Sequence, residues 1–215
     1  MIGFYNYTVI LTYISLLVSV QGIYFALDGK LLFAMVCLLG SGVCDMFDGM
    51  IARTRKKSTD EEKRFGIQLD SLCDIVCFGV LPAVVGVKAV MTEDTHIALQ
   101  IVTGVAGGLF VLCALIRLAY FNVTEETRQA TECGCRKAYT GVPVTTVAMV
   151  FPLVYAVSPW LPLVATQWAY TALLIASALA FVLPVRVPKP RAIGKCIMGV
   201  IGLGEVVLLL WQMLS

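Results

Sequence analysis

Hydrophobic positions do not alternate with polar ones along this chain; they run together in long blocks. The stretches 1–27, 97–116 and 138–185 contain no charged residue, and each reaches or exceeds the roughly 20 residues that an α-helix needs to cross a bilayer. Backbone N–H and C=O groups in hydrocarbon must find partners within their own segment, so each block reads as a helix. The pattern predicts spans at about 7–27, 31–53, 66–88, 97–119, 141–158, 162–183 and 194–214. The run 138–185 must hold two of them, and the break is placed at 158–162, where Pro159 and Pro162 follow Pro152 and Trp160 supplies an interfacial aromatic. The predicted fold class is all-α, a polytopic membrane bundle of about seven helices forming one domain over 1–215.

Composition supports this reading and removes others. The chain of 215 residues is 59% hydrophobic and 14% charged, against about a quarter charged in a soluble domain. A net charge of +2, broken up by apolar helices, excludes a nucleic-acid partner. Eight cysteines would suit a disulfide framework, but six of them fall in or beside apolar stretches, where Cys serves as a small hydrophobe. Cys133 and Cys135 lie in a polar loop with the single His, His96, far away, so zinc is not predicted there. No Lys or Arg precedes the first apolar stretch, which therefore reads as a span rather than a secretory leader.

Basic residues set the orientation. Fourteen of the sixteen Lys and Arg fall in 53–64, 117–140 and 184–195, leaving Lys30 and Lys88. Seven spans put those three segments on one side, which is then cytoplasmic, with the N-terminus inside and the C-terminus outside. Arg136, Lys137, Arg186, Lys189 and Arg191 read as charge at the headgroup level. Gly104 and Gly108 have the spacing that permits close helix approach, read here as packing within the subunit, with a homodimer as the alternative.

Candidate chemistry concentrates between Cys44 and Ala83. Asp45 and Asp48 are three apart and Asp70 and Asp74 four apart, so each pair shares a helix face at the cytoplasmic ends of neighbouring spans. Carboxylates in a membrane helix are costly and crowding them costs more, so positive charge is expected among them. Arg53 could supply it, as could one or two divalent cations; an all-oxygen ligand set favours Mg2+ or Mn2+ over zinc or copper, with calcium left open. Gly49, Ala52 and Gly66 leave both helices bare beside the acids, which suits either close helix packing or the approach of a bulky phosphate-bearing ligand. Beside four acids and Arg53, ligand approach is the preferred reading.

Asp45, Asp48, Gly49, Ala52, Arg53, Gly66, Asp70 and Asp74 together resemble the motif D-x-x-D-G-x-x-A-R, then G-x-x-x-D-x-x-x-D, of the CDP-alcohol phosphotransferases. Twelve residues separate Arg53 from Gly66, a longer loop than is usual in that family. The resemblance implies a six-helix family core plus one helix and a metal-dependent enzyme using two ions. It also implies metal ligation by Asp45, Asp48, Asp70 and Asp74, with Asp74 the general base as well. Gly49, Ala52, Arg53 and Gly66 would bind the CDP-lipid. Phe65 to Ala83, reading FGIQLDSLCDIVCFGVLPA, is similar to the phosphatidylserine synthase branch, as are RLAYFN from Arg117 to Asn122 and TGVP from Thr140 to Pro143.

That likeness implies CDP-diacylglycerol and L-serine as substrates, taken from a membrane lipid environment, with Arg117 and Asn122 on the acceptor. Tyr120 stands where the branch has Arg, and Val142 where it has Leu. Arg117 has a competing reading as a snorkelling residue at a helix end. Glycerol 3-phosphate or an inositol phosphate is the alternative acceptor, though either would call for a more basic site. A divalent-cation transporter is the reading from another class, opposed by the lack of an acid ladder towards the far membrane face. Glu205, midway along the last span, reads as protonated, paired with a neighbouring helix or near water. A bacterial inner membrane is the expected location.

Overall fold

A glycine sets the first turn of the bundle. Helix α1 (Ile10–Leu27) and helix α2 (Leu31–Ala52) are joined through Gly29, whose φ of +80° is the left-handed conformation that glycine adopts without a Cβ clash. The chain is represented by a computed structural model that describes residues 3–4, 7–52, 59–131, 138–188, 202, 204–209 and 211–212.

Helix α3 (Asp60–Asp74) begins with a capping box. The Thr59 hydroxyl accepts from the Glu62 N–H at 3.2 Å, and the Glu62 carboxylate accepts from the Thr59 N–H at 3.1 Å. Asp60, Glu61 and Glu62 in the first turn also suit the positive end of the helix dipole. The helix passes without a break into a π-helix (Ile75–Val80) and then helix α4 (Leu81–Val90). Pro82 accounts for that change of pitch, because it has no N–H for the carbonyl of Phe78 and its ring crowds that carbonyl. Helix α5 (Ile97–Thr131) is followed by strand β1 (Ala138–Thr140), helix α6 (Val147–Val157), helix α7 (Leu163–Val182) and strand β2 (Arg186–Pro188).

Among the described residues five helical stretches are long and apolar enough to cross a membrane, and Val144–Trp160 is a shorter apolar one. Residues 204–209 are also helical, so helix is present at each of the seven expected positions; much of 194–214 lies outside the described residues. The break in the uncharged run falls as expected, with a 3-10 turn at Ser158–Trp160 and Pro162 capping α7. Pro152 does not take part in it and sits buried inside α6. Hydropathy also understates two helices: α3 starts at Asp60 and α5 runs on to Thr131, because charged turns outside the hydrocarbon remain helical once capped and paired. At about 1.5 Å per residue, the 35 residues of α5 extend well past the roughly 30 Å hydrocarbon layer.

The described parts of the three basic segments gather at one end of the bundle. Arg64 and Glu126 form an ion pair at 3.1 Å, tying the start of α3 to the far part of α5. Strands β1 and β2 pair antiparallel with Tyr139 opposite Val187, joining the second and third basic segments in a ribbon that the hydropathy pattern does not foresee. Phe4 stacks edge-on against Phe65 at 5.5 Å, placing the N-terminal residues at the same end. At the other end Gln167 meets Thr95, and Gln212 donates to the carbonyl of Ala156. Phe4 and Gln212 thus stand at opposite ends of the bundle.

Small residues carry the close packing. A Cβ at Gly42 would lie 2.8 Å from the Cβ of Ala148 on α6, and one at Gly22 would lie 2.8 Å from the Cβ of Cys37 on α2. Along the α1–α2 seam Ser19 and Ser41 share a hydrogen bond of 2.7 Å, and Ser41 donates to the carbonyl of Ser15 at 3.2 Å. Phe110, Phe151, Phe181 and Tyr170 form an aromatic cluster between α5, α6 and α7 with centroids 5.4–6.4 Å apart. Two readings are corrected here. A Cβ on Gly104 or Gly108 would meet nothing within 4 Å among the described residues, so neither is closely packed by any described part of the subunit. Glu205 is 2% exposed and neither carboxylate oxygen has a hydrogen-bond partner among the described residues, so no described helix pairs with it.

Candidate active site

The last two turns of α2 and the last two turns of α3 bring the acids together. Asp45 and Asp48 project from α2, while Asp70 and Asp74 close α3 just before the π-helix. One carboxylate oxygen from each of Asp45, Asp70 and Asp74 lies within 4.8 Å of the others, and all three side chains are half-buried. Asp48 stands outside this trio but close enough for its charge to act on all three. It is 8% exposed, and its Oδ2 accepts from the Thr12 hydroxyl of α1 at 3.4 Å.

The donor set fits a hard divalent cation. Ligand oxygens about 2.0–2.1 Å from a Mg2+-sized ion stand at most about 4.2 Å apart across it. Three oxygens already within 4.8 Å can close on such an ion through small side-chain rotations. Without positive charge the cluster would combine burial with like-charge repulsion, both of which disfavour ionised carboxylates.

The flank of the site is open. A Cβ on Gly66, one turn before Asp70, would meet nothing within 4 Å among the described residues. Of the two readings of this bare stripe, Gly66 is therefore not closely packed by any described helix, and space for a ligand remains beside it. Gly49 and Ala52 continue α2 beyond Asp48, and Arg53 lies outside the described residues. Cys133 and Cys135 also lie outside them, whereas Cys37, Cys44, Cys73, Cys77 and Cys113 are free thiols, as a hydrophobic role requires.

Arg117 is 6% exposed, which a residue snorkelling to the headgroups would not be. Its Nε donates to the carbonyl of Val142 at 3.2 Å and an Nη to that of Gly141 at 3.4 Å, with the guanidinium 5.7 Å from the Phe121 ring centre. It thus pins the segment leading into α6 against α5. Gly141 has φ +81°, and a Cβ there would lie 3.0 Å from Arg117 Nε, so backbone angle and space both require glycine. Asn122 Oδ1 accepts from the hydroxyl of Ser71 at 3.0 Å, which ties it to the residue next to Asp70. Tyr120 is largely exposed, so the position where the related branch has Arg differs from buried Arg117.

Sequence reasoning missed two contacts, those of Thr12 and Ser71. The signal for Thr12 was present: Thr12, Ser15, Ser19, Gly22 and Ala26 make a small and polar stripe at helical spacing, and all five are buried.

The chain is 38% identical over 119 residues to a CDP-diacylglycerol–serine O-phosphatidyltransferase of Saccharomyces cerevisiae, covering 54% of this chain and 39% of that protein. It is 30% identical over 143 residues to an archaetidylserine synthase of Methanothermobacter thermautotrophicus, covering 66% and 52%. It is 27% identical over 139 residues to a CDP-diacylglycerol–serine O-phosphatidyltransferase of Helicobacter pylori, covering 65% and 52%. The matched region thus spans about half or less of these relatives. Residues 5–183, which include every acid of the cluster, match the profile of one family. By that match this membrane-embedded chain belongs to the CDP-alcohol phosphatidyltransferase family.

Proposed function

We propose that this chain is a CDP-diacylglycerol–serine O-phosphatidyltransferase, transferring a phosphatidyl group from CDP-diacylglycerol to L-serine with release of CMP. The observation that carries the reading is the convergence of Asp45, Asp70 and Asp74 beside the open flank of Gly66. Family membership and the names of the relatives supply the donor and acceptor classes.

In this reading Asp45, Asp48, Asp70 and Asp74 hold two Mg2+ or Mn2+ ions. When bound, the ions neutralise the diphosphate and the charge that develops on the departing CMP. Gly49, Ala52 and Gly66 leave room for the nucleotide and diphosphate to lie along α2 and α3, and Arg53 contacts phosphate. Arg117 and Asn122 of α5 orient serine, Asn122 from its contact with Ser71 of α3. Asp74 accepts the proton of the serine hydroxyl as its oxygen forms a bond to the phosphorus bearing the diacylglycerol. The bond from that phosphorus to the CMP oxygen breaks, and CMP leaves with the electron pair. Thr12 orients Asp48, and Ser71 orients Asn122. The whole chain acts as one domain, with the aspartates on the cytoplasmic side of a bacterial inner membrane.

Purified protein given CDP-diacylglycerol, L-serine and Mn2+ or Mg2+ should release CMP, and Asp74→Asn should abolish the release while leaving the melting transition intact. Offering serine, glycerol 3-phosphate and an inositol phosphate in competition tests the acceptor. CMP release with glycerol 3-phosphate but not with serine would refute the serine assignment.

A further inference from the structure

The end of the bundle away from the aspartates holds a pocket of about 420 Å³ between the α4–α5 turn and the start of α7, bordered by Asp94, His96, Leu99, Val164, Gln167 and Trp168. Its floor is a fixed hydrogen-bond network. The Thr95 hydroxyl donates to the carbonyl of Val90 at 2.6 Å, so its one proton is committed. Toward Gln167, 2.7 Å away, Thr95 can only accept, and this fixes the amide with Nε2 on the threonines. Gln100 holds the same turn by donating to the Thr95 carbonyl at 3.0 Å.

That arrangement leaves the Gln167 carbonyl oxygen without a partner among the described residues. The side chain is 4% exposed and lines the pocket. An unpartnered acceptor on the pocket lining calls for an N–H or O–H donor. Asp94 adds a carboxylate at the rim, and exposed Trp168 adds an aromatic face of the kind that binds cations and sits at membrane interfaces. His96 contributes the opposite polarity. Its Nδ1 accepts from the Ala98 N–H at 3.2 Å, so the neutral ring carries its proton on Nε2, where it can donate. Below this rim Leu99, Val102 and Val164 extend an apolar wall along the lipid-facing sides of α5 and α7.

The geometry points to a lipid site: the pocket binds the headgroup of a membrane phospholipid bearing a protonated primary amine, from the leaflet opposite the aspartates. The ammonium donates to Gln167 Oε1 and the Asp94 carboxylate, the phosphate accepts from His96 Nε2–H, and the acyl chain follows Leu99 and Val164. A quaternary ammonium has no N–H for Gln167, so the site discriminates against choline. Nothing in this assignment depends on the transfer reaction proposed above.

Isothermal titration of the full chain in detergent with dihexanoyl phosphatidylethanolamine, dihexanoyl phosphatidylcholine and free ethanolamine tests it. The ethanolamine lipid should bind about tenfold or more tightly than either other probe, as expected for a charge-assisted hydrogen bond. Asp94→Asn and Trp168→Leu change exposed side chains and should each weaken that binding about fivefold or more, without altering the melting transition. Saturating CDP-diacylglycerol should leave it unchanged. Equal binding of the two lipids, or an unaffected Asp94→Asn, would overturn the site. Free ethanolamine binding as tightly as the lipid would overturn the lipid assignment, and displacement by CDP-diacylglycerol would place the lipid at the aspartates instead.

Discussion

Gly42→Ala and Gly108→Ala make the same chemical change at two helix positions and should move stability in opposite directions. Exchanging Gly for Ala inside a helix gains about 0.5–1 kcal/mol from reduced backbone freedom in the unfolded chain. At Gly108 that gain stands alone, because an added Cβ meets nothing within 4 Å among the described residues. At Gly42 the new Cβ would lie 2.8 Å from the Cβ of Ala148, about 1 Å inside ordinary van der Waals contact, and both atoms are on helix backbones that cannot rotate away. Overpacking of this kind costs about 1–3 kcal/mol, which outweighs the propensity gain over most of its range. The two variants should therefore differ by about 1–3 kcal/mol, or several degrees in melting midpoint at about 2–4 °C per kcal/mol for a chain of this size. Thermal unfolding in detergent followed by tryptophan fluorescence reads the difference directly. Because α2 carries Asp45 and Asp48 just beyond Gly42, Gly42→Ala should also weaken divalent-cation binding, whereas Gly108→Ala should not. A Gly42→Ala protein melting at or above Gly108→Ala would refute the α2–α6 packing argument. A loss of stability in Gly108→Ala would show that its open face is covered by a second copy.

Arg117→Lys keeps the charge but cannot reach both the Gly141 and Val142 carbonyls as the guanidinium does, and should cost about 1.5–3 kcal/mol; an unchanged melting midpoint would remove Arg117 as the anchor of that segment. Glu205→Leu replaces a buried carboxyl that has no hydrogen-bond partner among the described residues and should stabilise the protein by about 1–3 kcal/mol; a lower midpoint would show that Glu205 has a polar role. Chelating divalent cations with EDTA should lower the melting midpoint of the native chain, since a ligand bound only by the folded state stabilises it. The same treatment should leave Asp70→Asn unmoved, and an equal drop in both would argue against ion binding at the cluster.

The helical layout and the acid cluster were legible in the sequence because both rest on local chemistry. Hydrocarbon forces each apolar run into a helix whatever its neighbours do, and helical spacing alone puts Asp70 and Asp74 on one face. The helix ends were less legible. Charged turns such as Asp60–Arg64 look like loop to a hydropathy reading, although the Thr59–Glu62 capping box was present as a start signal. The β1–β2 ribbon was hidden because each strand is three residues long and pairs with a partner more than forty positions away.

Contacts between helices were beyond the sequence. Spacing alone marked Gly104 and Gly108 for close packing, yet Gly22, Gly42 and Gly107 do that work, because which face of a helix turns inward depends on what packs against it. Arg117 shows the same division: its residue type and its place beside a helix end allowed a surface role, and only the folded chain presents it with two backbone carbonyls. The order of residues alone determined that this chain spans the membrane, which end gathers its basic segments, and that four aspartates sit near the ends of two neighbouring helices. Tertiary structure decided which three carboxylates converge, that Gly66 faces open space, and that Thr12 and Ser71 reach Asp48 and Asn122. The reason is physical: helix formation in hydrocarbon depends on each segment alone, whereas a distance between two helices depends on every side chain packed between them.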